Sequence, residues 1–232
     1  MTSAPVVRVP GEGLLAPSAG VERDGDGPLV GVLALQGDVL EHLRLVRAAG
    51  ARAIPVTGVA DLERIDGIVL PGGESTTIGR LATMYGLLEP LRQRLADGLP
   101  AFGTCAGAIL LARQALLADG TPTDQPLLGV LDAVVRRNAF GRQVASFEAD
   151  LDVAGVRGGP VHAVFIRAPW FETVGDDVEV LATVPTPLGD KVVVVRQGAL
   201  LASAFHPELS GDGRLHQLFV ATLSRTAPQP SP

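Results

Sequence analysis

A predicted buried strand and a predicted apolar helix meet in the stretch AFGTCAGAILLA, residues 101–112. Cys105 lies at the turn between them, with Gly103 two residues before it and Gly107 two residues after it. This spacing is typical of a nucleophile elbow with sulfur in place of the usual serine oxygen, because a sharp strand-to-helix turn leaves no room for flanking side chains. The positive end of the helix would favour the thiolate form of Cys105. A buried structural cysteine at a strand end is the alternative, since free cysteines are among the most buried residues.

Composition excludes several classes of protein. The chain has 232 residues, 47% of them hydrophobic, which suits one large α/β domain. A net charge of −6 argues against a general attraction to nucleic acid. No apolar run approaches the roughly 20 residues that span a membrane. The single cysteine excludes an internal disulfide and a zinc site built on thiolates, so we expect no metal and a cytoplasmic location.

Strands and helices alternate through the first half of the chain. Apolar runs predict strands at residues 30–35, 53–56, 66–71 and 99–102, and helices at residues 39–49, 77–85, 88–96 and from 106 onward. The second half is predicted to form strands at residues 129–135, 146–151, 161–166, 178–183, 191–196 and 200–204, before an amphipathic helix at 212–224. We therefore predict a three-layer α/β/α fold of the flavodoxin-like type, with a central, mostly parallel sheet and added strands in the C-terminal half.

The two ends of the chain differ from this pattern. Residues 1–28 are rich in Pro, Gly, Ser and Asp and show no sustained period, so we predict a flexible extension. Residues 29–225 are predicted to form a single domain, and residues 226–232 a flexible tail.

His206 is the candidate base for Cys105. It follows the predicted strand that begins at residue 200, and it falls at the same sheet edge as Cys105 if the two strands are parallel. Pro207 restricts the backbone between His206 and Glu208, so Glu208 can accept a hydrogen bond from one imidazole nitrogen while the other faces the sulfur. Alone, His-Pro-Glu could be an ordinary turn. Together with the elbow it indicates a triad of Cys105, His206 and Glu208.

The remaining histidines carry less weight. His42 lies on the first predicted helix, where we expect a solvated or interface side chain, and Asp38 is predicted to cap that helix. His162 opens a strand and is expected at the surface or in the core. His216 belongs to the closing helix and receives little functional weight.

Gly72 and Gly73 follow the third predicted strand and can bring backbone N–H groups close to a substrate. The N–H groups of Gly73 and Ala106 are therefore candidates for an oxyanion hole. A phosphate loop is the alternative, but the Walker lysine and the three-glycine dinucleotide spacing are both missing. A plain turn before a helix capped by Ser75 or Thr76 is compatible with the first interpretation.

With these motifs in hand, residues from about 29 to 224 resemble the glutaminase subunits of pyridoxal 5′-phosphate synthase, a family of the class I (triad) glutamine amidotransferases. The elbow and the His-Pro-Glu sequence are shared by many triad amidotransferases. Three motifs narrow the resemblance to this one family: GGESTT at 72–77, RNAFGRQ at 137–143 and FIRAP at 165–169. Further matches are LQG at 35–37, EH at 41–42 and SFEAD at 146–150.

The resemblance implies a role for each site residue. Cys105 would attack the side-chain amide of glutamine, His206 would relay the proton, and Glu208 would orient His206. The glutamine site would comprise Gly73, Glu74, Ser75, Arg137, Ile166 and Arg167. An arginine suits the α-carboxylate of glutamine, and Glu74 suits its α-ammonium group.

The resemblance also implies the reaction and its partner. Glutamine would be hydrolysed to glutamate and ammonia through a γ-glutamyl thioester, with no cofactor, because pyridoxal 5′-phosphate is the product of the complex. Ammonia would pass to a synthase subunit, a (β/α)₈ barrel, in a large hetero-oligomer, and docking near Gln36 and the Gly72-Gly73 peptide would activate the glutaminase. Nucleic acid and membrane are not expected partners.

Two other functions stay open on the sequence. One is a stand-alone Cys-His-Glu hydrolase, such as a γ-glutamyl hydrolase or a peptidase, which would need no partner. The other is a non-catalytic regulatory subunit, which would not need all three groups of the triad.

Overall fold

The computed structural model describes residues 27–140 and 146–226, with only the backbone described for 224–226. In this part of the chain the helices are α1 (Val39–Ala48), α2 (Val59–Leu62), α3 (Ser75–Met84), α4 (Leu88–Ala96), α5 (Ala106–Leu111) and α6 (Arg214–Thr226). The strands are β1 (Leu29–Leu33), β2 (Arg52–Val56), β3 (Gly67–Leu70), β4 (Ala101–Thr104), β5 (Ala112–Leu116), β6 (Leu131–Arg136), β7 (Ser146–Leu151), β8 (Val161–Ile166), β9 (Trp170–Val174), β10 (Glu179–Val184), β11 (Lys191–Gln197) and β12 (Leu200–Ser203).

A ten-stranded sheet forms the centre of the described structure. Its strands are ordered β2-β1-β3-β4-β12-β11-β9-β6-β5, and β10 pairs with β11 outside this path. The first five strands are mutually parallel, and antiparallel pairings begin where β11 joins β12. β7 and β8 form a separate antiparallel pair. The predicted mostly parallel sheet with added strands is confirmed.

Helices cover both faces of the parallel strands. α1 packs against α6, and α3 packs against α4 and α5. Gly67 of β3 lies against Phe219 and Leu223 of α6, which leaves no space for a larger residue. The residues of β1, β3, β4 and β12 are all buried, as expected for strands covered on both sides. None of the described helices is both long and apolar enough to cross a bilayer.

Three elements were missed by the sequence-based prediction. α2 is a single turn of four residues, and β9 begins directly after Pro169. α5 ends after six residues, and the chain continues as β5 where only a helix was predicted. The apolar run through residue 112 fits a buried helix and a buried strand equally well, so periodicity does not separate them.

Two predicted helix caps are wrong. Asp38 occupies the N-cap position of α1, but its side chain makes no capping hydrogen bond. α3 begins at Ser75, and its cap is Glu74, whose carboxylate accepts from the backbone N–H groups of Thr76 and Thr77. Neither Ser75 nor Thr76 is therefore the cap. The predicted extension up to residue 26, the motif residues Arg142 and Gln143, and residues 227–232 lie outside the described residues.

Candidate active site

Cys105 lies in a strained turn between β4 and α5. Its φ of 46° is in the left-handed region that residues with a side chain rarely adopt. A Cβ on Gly103 would come within 2.7 Å of the backbone of Gly107, and one on Gly107 would come within 1.9 Å of the carbonyl oxygen of Leu70. Both glycines are needed because α5 folds back tightly against the strands that precede it. The predicted elbow geometry is confirmed.

The neighbouring strand β12 brings the base to the same sheet edge. β12 is parallel to β4, with Ser203 beside Thr104, and the N–H of Cys105 donates to the carbonyl oxygen of Ser203 at 2.8 Å. His206 follows three residues later, and its ring is close enough to Cys105 for that residue to contribute to the raised pKa of His206. Its Nδ1 lies 2.7 Å from Oε1 of Glu208. Cys105, His206 and Glu208 are therefore adjacent and nearly fully buried.

The surroundings of His206 keep its ring protonated. Burial lowers the pKa of His206, but the neighbouring Asp38, Cys105 and Glu208 outweigh it and raise that pKa to about 12. Burial likewise raises the pKa of Glu208, but the hydrogen bond from His206 and the contact with His42 hold it well below its usual range. An imidazolium beside a cysteine sulfur stabilises the thiolate form, so this arrangement suits the predicted nucleophile.

The Gly72-Gly73 turn lies directly against the triad. A Cβ on Gly72 would come within 2.4 Å of the His206 ring, and one on Gly73 within 2.5 Å of the Gln36 side chain. Gln36 Oε1 accepts a hydrogen bond of 2.7 Å from the N–H of Glu74. The first N–H groups of a helix have no acceptor within that helix, so the N–H of Ala106 is available beside Cys105. The diglycine turn therefore lies beside His206 and the start of α5 beside Cys105, and the part of Gly73 and Ala106 in an oxyanion hole stays a prediction.

A comparison with known protein families identifies the family of this chain. Residues 32–225 match the SNO glutamine amidotransferase family. The chain belongs to the SNO glutamine amidotransferase family. The prediction of a class I amidotransferase fold and of glutaminase activity is thereby confirmed.

Similar proteins agree with that assignment over almost their full length. The pyridoxal 5′-phosphate synthase subunit PdxT of Frankia alni is 64% identical over 194 residues, which cover 84% of this chain and 94% of that protein. The protein of the same name from Nocardia farcinica is 58% identical over 206 residues, covering 88% and 90%. A crystal structure of a glutamine amidotransferase, 52% identical, superposes with a TM-score of 0.76 and covers 84% of this chain and 98% of its own.

In this glutamine amidotransferase, two predicted glutamine-binding residues form an ion pair beside the diglycine turn. Nη2 of Arg137 lies 2.8 Å from Oε1 of Glu74. Burial raises the pKa of Glu74, but hydrogen bonds from Thr77 and Thr76 and the charge of Arg137 lower it to about 2. The hydroxyl of Ser75 is buried and donates to Gln125, so Ser75 presents its side chain away from solvent.

The other two predicted glutamine-binding residues lie at the end of β8. The N–H of His206 donates to the carbonyl oxygen of Val164 at 2.9 Å, which ties this end of β8 to the triad. Ile166 ends the strand and is 39% exposed. Arg167 follows in the left-handed region, with a φ of 45°. The structure therefore places both residues at the rim of the amidotransferase site, and their part in binding glutamine stays a prediction.

Three residues beside the triad had no predicted catalytic part. Asp38 Oδ2 lies 3.5 Å from Nδ1 of His206. His42 is fully buried rather than solvated, and it contacts His216, which is fully buried as well. Helical spacing could have indicated this, because His42 lies four residues before buried Val46, and His216 three before buried Phe219. His162, by contrast, is exposed between Asp150 and Glu148.

One cluster in the described part of the chain has the donor types and spacing of a metal site. It consists of Asp38, His206 and Glu208, whose ligand atoms lie within 4.8 Å of one another. Nδ1 of His206 and Oε1 of Glu208 already bond to each other, so these two atoms are engaged within the protein. We assign the cluster to the triad.

Proposed function

We propose that Cys105, His206 and Glu208 are the catalytic triad of a glutaminase whose ammonia serves pyridoxal 5′-phosphate synthesis. The observation that carries this proposal is the meeting of the three side chains at the ends of two adjacent parallel strands, β4 and β12. Family membership supplies the reaction, and relatives from Frankia and Nocardia named as subunits of pyridoxal 5′-phosphate synthase support the biosynthetic role.

The first half of the reaction forms a thioester and releases ammonia. The thiolate of Cys105 attacks the side-chain carbonyl carbon of glutamine, and the oxygen takes up the negative charge. The N–H groups of Gly73 and Ala106 are the proposed donors to that oxyanion. His206, protonated in the resting site, gives its proton to the amide nitrogen, the carbon–nitrogen bond breaks, and ammonia leaves.

The second half returns the enzyme to its starting state. Neutral His206 takes a proton from a water molecule, and the resulting hydroxide attacks the thioester carbonyl carbon. The carbon–sulfur bond breaks, glutamate leaves, and the thiolate and imidazolium are restored. Glutamine and water become glutamate and ammonia: His206 carries the proton from water to the amide nitrogen over one cycle, and the new γ-carboxyl group releases its own proton to water. We therefore propose that the reaction uses neither metal nor cofactor.

The Glu74–Arg137 pair suits the head group of the substrate. An α-amino acid carries an ammonium and a carboxylate on one carbon, and this pair offers both counter-charges 2.8 Å apart. We propose that glutamine binds across the pair, with Gly73, Ser75, Ile166 and Arg167 completing the pocket.

The partner is proposed to be a synthase subunit in a hetero-oligomer. Leu40 and Leu209 are 47% and 45% exposed, and each lies one or two residues from a group that contacts His206. Exposed apolar residues at the rim of a site suit a docking surface. Gln36 already accepts a hydrogen bond from the N–H of Glu74 beside the diglycine turn, so docking there would act directly on the proposed oxyanion donors.

The single free cysteine also suits the cytoplasmic location that we propose.

Glutamate release, measured with and without the synthase subunit, tests this function. We expect slow turnover by the chain alone, a large increase with the partner, and none in Cys105→Ala under either condition. An equal rate with and without the partner would instead favour a stand-alone hydrolase. Activity in Cys105→Ala would remove Cys105 from the mechanism, and no turnover by the wild-type complex would favour a regulatory subunit.

A further inference from the structure

The triad carboxylate has one oxygen that the mechanism leaves without a donor. The side chain of Glu208 is completely buried, and Oε1 accepts from His206. Oε2 is buried too, and it has no hydrogen-bond partner within the described residues. Leaving a buried charge half-paired is costly, so a donor near Oε2 matters for keeping the carboxylate ionised and in place.

The side chain that faces Oε2 is His42 of α1. Its Nε2 lies 3.5 Å from Oε2, within the range of an electrostatic contact. The same Nε2 lies 3.2 Å from Oγ1 of Thr104, the residue before the nucleophile, and Nδ1 lies 2.9 Å from Nε2 of His216 on α6. The ring of His42 is therefore fixed from both sides, with one nitrogen directed at the triad.

One tautomer of this histidine pair gives the His42 ring a donor toward the triad. Burial is the main cause that lowers the pKa of His216 to about 3, so its ring is neutral and carries one N–H. Nδ1 of His216 has no partner in the part of the chain that the structure describes, and its Nε2 lies 2.9 Å from Nδ1 of His42, so the tautomer that uses this contact has the N–H of His216 on Nε2. In that tautomer Nδ1 of His42 accepts, and Nε2 of His42 carries an N–H toward Thr104 and Glu208.

We propose that His42 is a positioning residue of the triad: held by His216, it directs an N–H at the second oxygen of Glu208 and keeps that carboxylate ionised and aligned on His206. This inference rests on the triad proposed above. The titratable groups facing the network are Cys105 after β4, Asp38 before α1, His206 and Glu208 after β12, and His216 on α6.

The consequence is a wider pH range for the thiolate–imidazolium pair. Without the donor from His42, Glu208 would either take up a proton or turn from His206, and both changes leave the imidazolium less stabilised. The thiolate would then form only at a higher pH. The chain has one cysteine, so alkylation by iodoacetamide, followed by mass spectrometry, reports on Cys105 alone.

Two amide variants at position 42 test the inference. The amide of His42→Gln can place an N–H near the position of Nε2, whereas that of His42→Asn reaches only the position of Nδ1 and His216. For His42→Asn we expect the alkylation midpoint to rise by about one pH unit and kcat of the complex with the synthase subunit to fall about 10-fold. KM for glutamine should stay within about two-fold, and His42→Gln should be close to the wild type in every measurement.

Control variants separate positioning from a loss of stability. Leu43→Ala removes a buried apolar side chain from the same helix, so it should lower the unfolding temperature and leave the alkylation midpoint unchanged. Equal behaviour of His42→Asn and His42→Gln, or a wild-type midpoint in both, would overturn the inference. If His42→Asn does not fold by circular dichroism, His216→Leu decides: a midpoint raised in the same direction supports the role, and a wild-type midpoint overturns it.

Failure of the triad itself would look different. If the triad is wrong, Cys105→Ala keeps glutaminase activity in the complex. If only the present inference is wrong, Cys105→Ala is inactive while His42→Asn keeps the kcat and the alkylation midpoint of the wild type.

Discussion

At the scale of single residues, the site depends on glycines, whose lack of a side chain allows close packing, as much as on the candidate catalytic side chains. Gly72 brings its backbone against the His206 ring, and Gly37 in turn lies against the carbonyl oxygen of Gly72. A methyl group at either position would occupy space already taken by backbone or by the catalytic ring. This close packing holds the backbone of the diglycine turn in place beside His206.

Replacing Gly72 by alanine should abolish most of the activity while the protein stays folded. The new Cβ would lie 2.4 Å from the His206 ring, so the ring must move from Cys105, and we expect kcat to fall at least about 100-fold. Gly58→Ala is the matched control, because its Cβ meets nothing within 4 Å. Glutamate release by each variant with the synthase subunit checks this, and wild-type kcat in Gly72→Ala would contradict it.

Asp38 should tune the ionisation of His206. Its carboxylate lies 3.5 Å from Nδ1 and contributes to the raised pKa of His206, so Asp38→Asn should lower that pKa. The imidazolium is then lost at lower pH, and the basic limb of kcat/KM moves down. Glu208→Gln should shift this limb in the same direction, since Oε1 of Glu208 lies 2.7 Å from Nδ1 of His206. Asp97→Asn, the same charge change after α4 and before β4, should leave the profile unchanged.

At the scale of elements, the residue that caps α3 contributes both to the stability of the helix and to the candidate site. Glu74 caps this helix, pairs with Arg137 and lies next to Gly73, so one carboxylate fixes the helix start and the wall of the proposed glutamine pocket. Capping side chains are typically worth about 1 kcal/mol. A change in glutamine binding at this residue is therefore expected to come with a change in stability.

Glu74→Ala should lower the free energy of unfolding by about 1 kcal/mol at neutral pH. The pKa of Glu74 is lowered from 4.5 to about 2, so its contribution is complete above pH 4.5 and is lost as the pH falls toward 2. Urea unfolding of both proteins at a series of pH values checks this. Glu89→Ala removes a more exposed carboxylate that pairs with Arg92 and should change little at any pH. A difference that does not shrink in acid would contradict the capping role.

Elements with a clear hydrophobic pattern were predictable, and short or ambiguous ones were not. β7 and β8 have the predicted bounds, and α4 also matches, because their alternation or helical period continues over six residues or more. α5 and β5 share one apolar run, so the change from helix to strand at Ala112 leaves no mark in the pattern. The true cap of α3, Glu74, was missed because Ser75 and Thr76 belong to the residue types that are preferred as caps, whereas glutamate does not.

At the scale of the whole molecule, the strand order explains what the sequence alone could not establish. β4 and β12 are neighbours although about a hundred residues separate them, and β12 lies between the parallel strands and the antiparallel ones. Local patterns reveal that both strands exist, but strand order is a property of the complete sheet. Motifs were enough to predict Cys105, His206 and Glu208 as the candidate triad, and the structure brings these three residues together. The second carboxylate at Asp38 and the buried pair of His42 and His216 depend on tertiary packing.

The predicted domain bounds can be tested by shortening the chain. β1 begins at Leu29, so a chain that starts at residue 27 should unfold at the same temperature as the full chain and respond equally to the synthase subunit. A chain that ends before α6 loses Phe219 and Leu223, which pack against β3, and should not fold. Thermal unfolding followed by circular dichroism checks both, and a large loss of stability in the first would contradict the bounds.

The late position of β12 also affects the protein while it is being made. A chain still growing on the ribosome can complete β1 to β4 and the cysteine turn long before His206 is synthesised. Such an incomplete molecule has the proposed nucleophile but lacks the proposed base. If the triad is correct, Cys105 becomes competent only when the last part of the sheet is inserted beside it, so unfinished chains should not hydrolyse glutamine.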